Sequence, residues 1–174
     1  MPTPTYVAVA KNLLASNQAS VTFSGIPSTY TDLLLTFSVR TGAADYQATL
    51  TYQFNSTTGN YSETYIRANF GSVNSARDSN QTKAYGMLVF NGDTSTSNTF
   101  SSGEIYIPNY AGSTNKVISM TGVNENNSST AYNLVPYAGL WSNTAAITSI
   151  KIEDYYGNNL LSGSRFDLYG IKNS

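Results

Sequence analysis

Apolar and polar residues alternate along much of this sequence, and alternation with a period of two is typical of β-strands that bury one face. The alternation is clearest over residues 33–40, where every odd-numbered position is apolar, and over residues 46–54, where every even-numbered position is apolar or aromatic. The segment between them, residues 41–45, has the length of a hairpin connection. The pattern therefore predicts a β-hairpin over residues 31–55.

Shorter strands are predicted through the rest of the chain, where turn-forming residues separate short apolar and aromatic runs. They lie near residues 5–10, 20–24, 63–70, 84–90, 102–107, 116–124, 132–140, 147–154 and 160–171. Residues 8–18 also contain good helix formers, but a β edge followed by a turn is favoured there because the neighbouring sequence is strand-rich. About ten strands at a spacing of about 10–15 residues indicate an all-β protein with a sandwich or barrel architecture.

Two segments lack the alternation. Residues 69–82 and 91–102 are polar and rich in Ser, Asn and Gly, and they are long for connections inside a compact domain. Connections of this length are functional, mobile, or ordered by a neighbouring part of the chain. We expect both segments to be irregular connections between strands.

Composition limits the chemistry that this chain can perform. Its 174 residues suit one domain, residues 1–174, and only 11% of them are charged, against about 25% in an average soluble domain. Ser, Thr and Asn together make up about a third of the chain, while histidine and cysteine are absent. Their absence excludes Ser–His and Cys–His nucleophiles, ordinary zinc sites and disulfides. We therefore expect a structural or binding protein that is not an enzyme and uses no cofactor.

The charges also restrict the partners. Nine basic and ten acidic residues leave a net charge of -1, and the basic residues are scattered singly instead of forming the stripe that a nucleic-acid binder needs. The N-terminal residues show neither a positive region followed by a long apolar run nor any other sign of a secretory signal, and no spanning segment follows. The sequence thus predicts no nucleic-acid partner and no membrane association.

Paired carboxylates are the one catalytic device that the composition leaves open, since glycosidases use two acids about 5–10 Å apart. Six residues could supply them: Glu63, Glu104, Glu125, Glu153, Asp154 and Asp167. Their spacing singles out no pair, so no catalytic residue is assigned.

Residues 91–95 resemble an oxygen-ligand loop, but a Ca²⁺ site uses several carboxylates and Asp93 stands alone. A simple turn without metal is expected.

The fourteen tyrosines are more informative. Tyrosine is favoured in strands, is enriched at protein interfaces, and works with Ser, Gly and Asn in polar recognition. We expect Tyr46 and Tyr52 to cover a strand face, and Trp141 to be a core anchor or an interface plug. Eight others are left between core and interface: Tyr61, Tyr65, Tyr106, Tyr110, Tyr132, Tyr137, Tyr155 and Tyr156. Such a neutral surface suits protein–protein packing or weak carbohydrate contact, and it does not suit a charged ligand.

A set of short phrases occurs in order along the chain. They are FSGIP at 23–27, YTDL at 30–33, SVR at 38–40, NYS at 60–62, IPNY at 107–110 with Lys116, Trp141 with NTAAI at 143–147, GSRF at 163–166 and LYGI at 168–171. In this order they resemble short virion structural proteins of tailed bacteriophages, including phages of cyanobacteria and marine bacteria. The similarity extends over nearly the whole chain.

The resemblance implies a jelly-roll-like antiparallel β-sandwich of about 8–10 strands on the surface of the virion, made in the host cytoplasm. Proteins of this kind are capsid cement (decoration) proteins, or tail-fibre and tail-spike modules that recognise host glycans. Their partners are other virion proteins, the major capsid protein or tail components, and further copies of themselves, as a homotrimer. Strand-like sequence begins within about five residues of Met1, which leaves no room for a shaft and favours the cement protein. The family motifs are not catalytic, so no site residues follow from them.

Overall fold

The computed structural model of the protein describes residues 5–86, 89–127 and 132–172. These residues form no helix, and accordingly none that is long and apolar enough to cross a membrane. The described ranges contain fourteen strands: β1 (Tyr6–Leu13), β2 (Ser20–Ser24), β3 (Asp32–Val39), β4 (Gln47–Ala48), β5 (Leu50–Phe54), β6 (Tyr61–Asn69), β7 (Ser72–Gln81), β8 (Ala84–Tyr85), β9 (Phe90–Asn91), β10 (Ser101–Ile107), β11 (Lys116–Asn124), β12 (Asn133–Trp141), β13 (Ser149–Asp154) and β14 (Arg165–Ile171).

The strands form two antiparallel sheets that pack against each other, and the expectation of an all-β antiparallel sandwich is confirmed. The larger sheet has eight strands in the order β1-β14-β3-β10-β11-β12-β6-β7, and the smaller has four in the order β2-β13-β5-β8. β4 and β9 make a separate two-residue ladder. β6 contacts β8, the edge strand of the smaller sheet, so β7, the next strand of the larger sheet, lies at the end of the sandwich where the smaller sheet stops.

The core lies between the sheets and is filled by alternate positions of the strands on each side. Leu33, Leu35 and Ile105 project from the larger sheet, and Phe54 and Ile152 project from the smaller one; all are buried. Burying one such side chain stabilises the fold by about 1.5–3 kcal/mol. The period-two pattern of the sequence therefore marks the faces that meet in the core.

Trp141 is the centre of an aromatic cluster in this core. Its ring stacks on Tyr61 with the ring centroids 6.3 Å apart, and it meets Phe54 edge-on at 5.5 Å. Trp141 is completely buried, so of the two expected roles it fills that of core anchor. The hydroxyl oxygen of Tyr61 accepts a hydrogen bond from the backbone N–H of Phe54 at 2.8 Å.

The alternation over residues 33–39 is confirmed, but the predicted hairpin over residues 31–55 is wrong. β3 lies between β14 and β10 in the larger sheet, whereas β5 lies between β13 and β8 in the smaller sheet. A short loop can join strands in opposite sheets as well as adjacent strands in one sheet. The chain crosses between sheets here, so the apolar faces of β3 and β5 both point into the core.

Residues 72–81, predicted as part of an irregular connection, form β7, a strand of 10 residues. β7 is the edge strand next to β6, and most of its side chains are exposed on both faces. A strand that buries neither face has no need of apolar alternation. The sequence pattern therefore gave no sign of this strand.

The second polar segment, residues 91–102, is held in place by one buried arginine. The guanidinium of Arg40, which follows β3, donates hydrogen bonds to the carbonyl oxygens of Asp93, Ser95, Thr96 and Thr99 at 2.8–3.0 Å. Arg40 is only 8% exposed, so these bonds form largely out of water. The segment is irregular between β9 and β10, and it is ordered by a neighbouring part of the chain.

The shorter predicted strands are present with shifted boundaries. Residues 84–90 contain β8 and β9, with residues 87–88 outside the described ranges, and the last strand begins at Arg165 because Leu160 instead makes isolated bridges with Gln18 and Thr41. The described residues hold more strands than the expected 8–10. Three of them, β4, β8 and β9, have only two residues each, and β7 was not predicted.

Candidate interaction surfaces

Part of the larger sheet carries apolar side chains on the face that points away from the smaller sheet. One row of cross-strand neighbours runs through four adjacent strands and is apolar at each position, with Val123 beside Leu134, Leu134 beside Ala68, and Ala68 beside Val73. Leu134 is 50% exposed and Val73 is 73% exposed. The same face continues through neighbouring rows, and we name the whole set the outer apolar face: Ile66, Ala68, Val73, Val117, Val123, Leu134, Pro136 and Leu140.

The outer apolar face is almost free of charge. At the outward positions of β6, β7, β11 and β12, within the described residues, the one charged side chain is Arg77, and the others are apolar, Ser or Thr. The outward face of an antiparallel sheet is normally polar when it meets water. A contiguous exposed apolar patch marks a surface that binds another molecule.

The other half of this outward surface is polar and forms a shallow groove of about 520 Å³ across β14, β3, β10 and β11. Two candidate acids meet here, because Asp167 and Glu104 are the cross-strand neighbours of Thr36 on its two sides. Their Cβ atoms are therefore two strand spacings apart, about 10 Å. Asp167 is held in an ion pair with Arg165, whose Nε lies 2.6 Å from Asp167 Oδ2.

Three other candidate acids stabilise local structure. Burial acts to raise the pKa of Glu153, but hydrogen bonds and charge from Lys151 and Lys83 outweigh it and hold that pKa below its usual range. Asp154 is buried and accepts hydrogen bonds from the turn that follows β13. Glu125 accepts two backbone N–H groups from the residues that follow it. None of these three lines the groove that Glu104 and Asp167 share.

Glu63 is the exception among the candidate acids because it lies inside the sandwich. It is 2% exposed, and its Oε2 accepts hydrogen bonds from the hydroxyl of Tyr137 at 3.2 Å and from the backbone N–H of Tyr85 at 3.4 Å. Its Oε1 has no hydrogen-bond partner among the described residues. Burial raises the pKa of Glu63 to about 7, and the nearby carboxylate of Asp78 adds to the effect.

The ten tyrosines named above as candidates for a strand face, the core or an interface divide between buried and exposed positions. Tyr52, Tyr61, Tyr110 and Tyr137 are buried, which explains four of them as core residues. Four more are half-buried: Tyr46, Tyr65, Tyr106 and Tyr132. Tyr155 and Tyr156 are exposed, at 47% and 78%. Sequence could not separate these groups, because tyrosine combines an apolar ring with a polar hydroxyl and is found at buried and exposed positions alike.

The exposed pair belongs to a small cleft at the end of the sandwich where β7 extends past the smaller sheet. We name it the tyrosine cleft; it has a volume of about 270 Å³ and is lined by Thr49, Asp78, Gln81, Tyr85, Tyr155 and Tyr156. The ring of Tyr155 meets that of Tyr85 edge-on at 5.1 Å and that of Tyr156 at 4.7 Å. The rings thus form one packed group at the surface.

Metal ligands are not grouped anywhere in the described ranges: no three His, Cys, Asp or Glu side chains come together there. Comparison of this chain with protein-family models, curated proteins and solved structures finds no match. The outer apolar face and the tyrosine cleft are therefore the two surfaces of the described residues that bear on function.

Proposed function

We propose that this protein is a structural protein of a tailed-bacteriophage virion, a capsid cement protein that binds the outer surface of the capsid and stabilises the shell through protein–protein contacts. The observation that carries the proposal is the outer apolar face. Its exposed members Val73, Val117 and Leu134 contribute little to the folding of the isolated chain, whereas contact with a partner would remove them from water. The nearly complete absence of charge on this face suits a partner surface that is also apolar.

The size of the outer apolar face supports a role with many copies. The face spans four strands about 4.8 Å apart and about six residues of about 3.3 Å rise, which gives an area on the order of 400 Å². A standard stable interface takes about 800 Å² from each partner. One contact of this kind is weak, but copies linked as trimers and bound at several points of a capsid lattice would bind tightly through avidity.

The experiment compares virions that contain this protein with virions assembled without it. A cement protein stabilises the filled shell against the pressure of packaged DNA, so particles that lack it should assemble but release their DNA at a lower temperature. Adding the purified protein back should restore the release temperature. Equal release temperatures for the two kinds of particle would exclude the proposal.

The tyrosine cleft favours a second candidate function, a tail-fibre or tail-spike module that recognises host-surface glycans. An exposed aromatic group beside polar side chains suits carbohydrate, because the ring can stack on a sugar and the polar groups can bind its hydroxyls. Copy number separates the two candidates: a cement protein is present in many copies per virion, whereas a tail module is present in few. Quantitative gel densitometry of purified virions measures it.

A further inference from the structure

We propose that the tyrosine cleft binds a single pyranose ring of a neutral, hydroxyl-rich sugar. The inference rests on the second candidate function, glycan recognition, and it assigns that function to named residues. The cleft lies on the inward side of β7, which carries Asp78, while the outer apolar face lies on the opposite side, which carries Val73 and Arg77. A sugar in the cleft therefore leaves the outer apolar face free for a protein.

The aromatic group of the cleft is rigid before any ligand arrives. Asp154 Oδ1 accepts hydrogen bonds from the backbone N–H of Tyr156 at 2.9 Å and from both the backbone N–H and the side-chain amide of Asn158, at 3.2 and 2.9 Å. The backbone N–H of Tyr155 donates to the carbonyl of Thr49 at 2.9 Å. These bonds fix the turn, so a ligand would not have to order it, and pre-organisation of this kind favours binding.

Tyr156 has no evident role in folding. It is 78% exposed, although its turn is anchored by a buried carboxylate and its ring packs against Tyr155. An aromatic ring held in place at the surface offers an apolar face, and a pyranose offers a matching face of C–H groups. The phenolic hydroxyl adds a donor and an acceptor at the rim of the same ring.

The polar groups of the cleft match hydroxyl groups. Asp78 and Gln81 belong to β7 of the larger sheet, whereas Thr49 directly precedes β5 of the smaller sheet, so both sheets supply donors and acceptors to the cleft. The residues that line the cleft include one carboxylate and no cation, which disfavours anionic sugars. Its volume of about 270 Å³ lies just below the range of pockets for drug-sized ligands, about 300–1,000 Å³, and so accommodates one sugar ring.

An organic ammonium ion is the main competing ligand, since aromatic rings and a carboxylate also attract cations. An ammonium site surrounds its ligand with ring faces. Here the rings of Tyr85, Tyr155 and Tyr156 pack edge-on against one another at 5.1 and 4.7 Å and do not enclose a space between them. The arrangement therefore favours stacking of a neutral ring on one exposed tyrosine.

The experiment titrates the purified full-length protein with glucose, galactose, mannose and N-acetylglucosamine, and separately with choline, and follows binding by NMR. At least one sugar should bind with a dissociation constant on the order of 1 mM, as expected for a ligand of this size. Y156A should weaken that binding about tenfold or more, and Y156F should retain most of it because the ring remains. D78N should weaken it by loss of the charged acceptor.

Y6A is the matched control, since Tyr6 is also exposed, at 57%, but lies on β1 at the other edge of the larger sheet. It should leave sugar binding unchanged, and the thermal unfolding of each variant shows whether it is folded. Sugar binding that Y156A does not weaken, or tighter binding of choline than of any sugar, would overturn the proposed site. Binding of the protein to host cells without measurable binding of these sugars would overturn the site while leaving glycan recognition itself standing.

Discussion

The hydroxyl of Tyr137 lies 3.2 Å from Oε2 of Glu63, between the two sheets, and donates a hydrogen bond to it. Tyr52, from the smaller sheet, donates in turn to the hydroxyl of Tyr137 at 3.3 Å. The network therefore links β6 and β12 of the larger sheet to β5 of the smaller one. Because Glu63 is buried with one carboxyl oxygen unpartnered among the described residues, its protonation affects the stability of the whole sandwich.

The first prediction concerns the pH dependence of folding. The pKa of Glu63 rises from an ordinary value of 4.5 to about 7 in the folded protein, so the folded state binds its proton more tightly than the unfolded state does. The stability that this tighter proton binding provides is fully present below pH 4.5. As the pH rises to about 7 it is lost, and the free energy of unfolding falls by up to about 3 kcal/mol. Urea unfolding at a series of pH values measures the loss.

The variant E63Q isolates this contribution, because glutamine keeps the shape of the side chain but cannot ionise. Relative to E63Q, the wild-type protein should lose stability as the pH rises from 5 to 8, so that E63Q is the more stable of the two at pH 8. E104Q is the control, since Glu104 is exposed on the outward face. An identical pH profile for wild type and E63Q would contradict the prediction.

The second prediction concerns Arg40 and the segment that it orders. R40A removes all the hydrogen bonds from the guanidinium to the carbonyls of residues 93–99 and should reduce the free energy of unfolding by about 3 kcal/mol or more. R40K should recover only part of the loss, because an ammonium group lacks the forked geometry of the guanidinium. Hydrogen exchange should become faster in this segment before it does so elsewhere.

The matched control is R165A. The Arg165 side chain is 51% exposed and makes a single ion pair with Asp167, whose side chain is 9% exposed, so its loss should reduce stability less than the loss of the four hydrogen bonds that Arg40 makes to carbonyl groups. If R40A and R165A reduced stability equally, Arg40 would not be the residue that orders the segment.

The third prediction concerns Trp141, the single tryptophan of the chain. Because it is completely buried, its fluorescence emission should lie at short wavelength in the folded protein and shift to longer wavelength on unfolding. W141A should reduce the free energy of unfolding by about 3–5 kcal/mol, since it leaves a cavity between Phe54 and Tyr61. W141F should cost less. Emission at long wavelength from the folded protein would show that the residue is in contact with water.

The fourth prediction concerns the outer apolar face. The double variant V73K/L134K places two charges on exposed positions that are linked through Ala68, so it should fold normally and yet fail to bind virions that lack the protein. L13K is the control, because Leu13 is also exposed, at 67%, but lies on β1 at the far edge of the sheet. Co-sedimentation with the particles measures binding. Equal binding by V73K/L134K and L13K would remove the outer apolar face from the proposed function.

The sequence predicted strands best where one face is buried. Burial alternates along most of β3 and along β11, and most of the inward positions, such as Leu35, Ile118 and Met120, are apolar because they fill the core. β5 was predicted as a strand, but all of its residues are buried, which alternation does not indicate. β7 was missed because neither of its faces contributes to the core.

The sequence also could not show which of the candidate acids are buried or lie close together. All six could be named from the sequence, but nothing in their spacing distinguished buried Glu63 from exposed Glu125. The two that share a groove, Glu104 and Asp167, are brought together by the pairing of β10 and β14 with β3, and strand order is set by contacts between residues far apart in the chain.

The amino-acid sequence alone determined the class of the fold and the chemistries that are closed to this protein, because period-two alternation is a local property and the lack of histidine and cysteine holds in any fold. Tertiary structure decided which strands share a sheet, which tyrosines reach the surface, and how Asp78 comes to line one cleft with Tyr156. Those relationships depend on which apolar faces meet across the core, and the energy of that packing comes from pairs of residues that no local pattern connects.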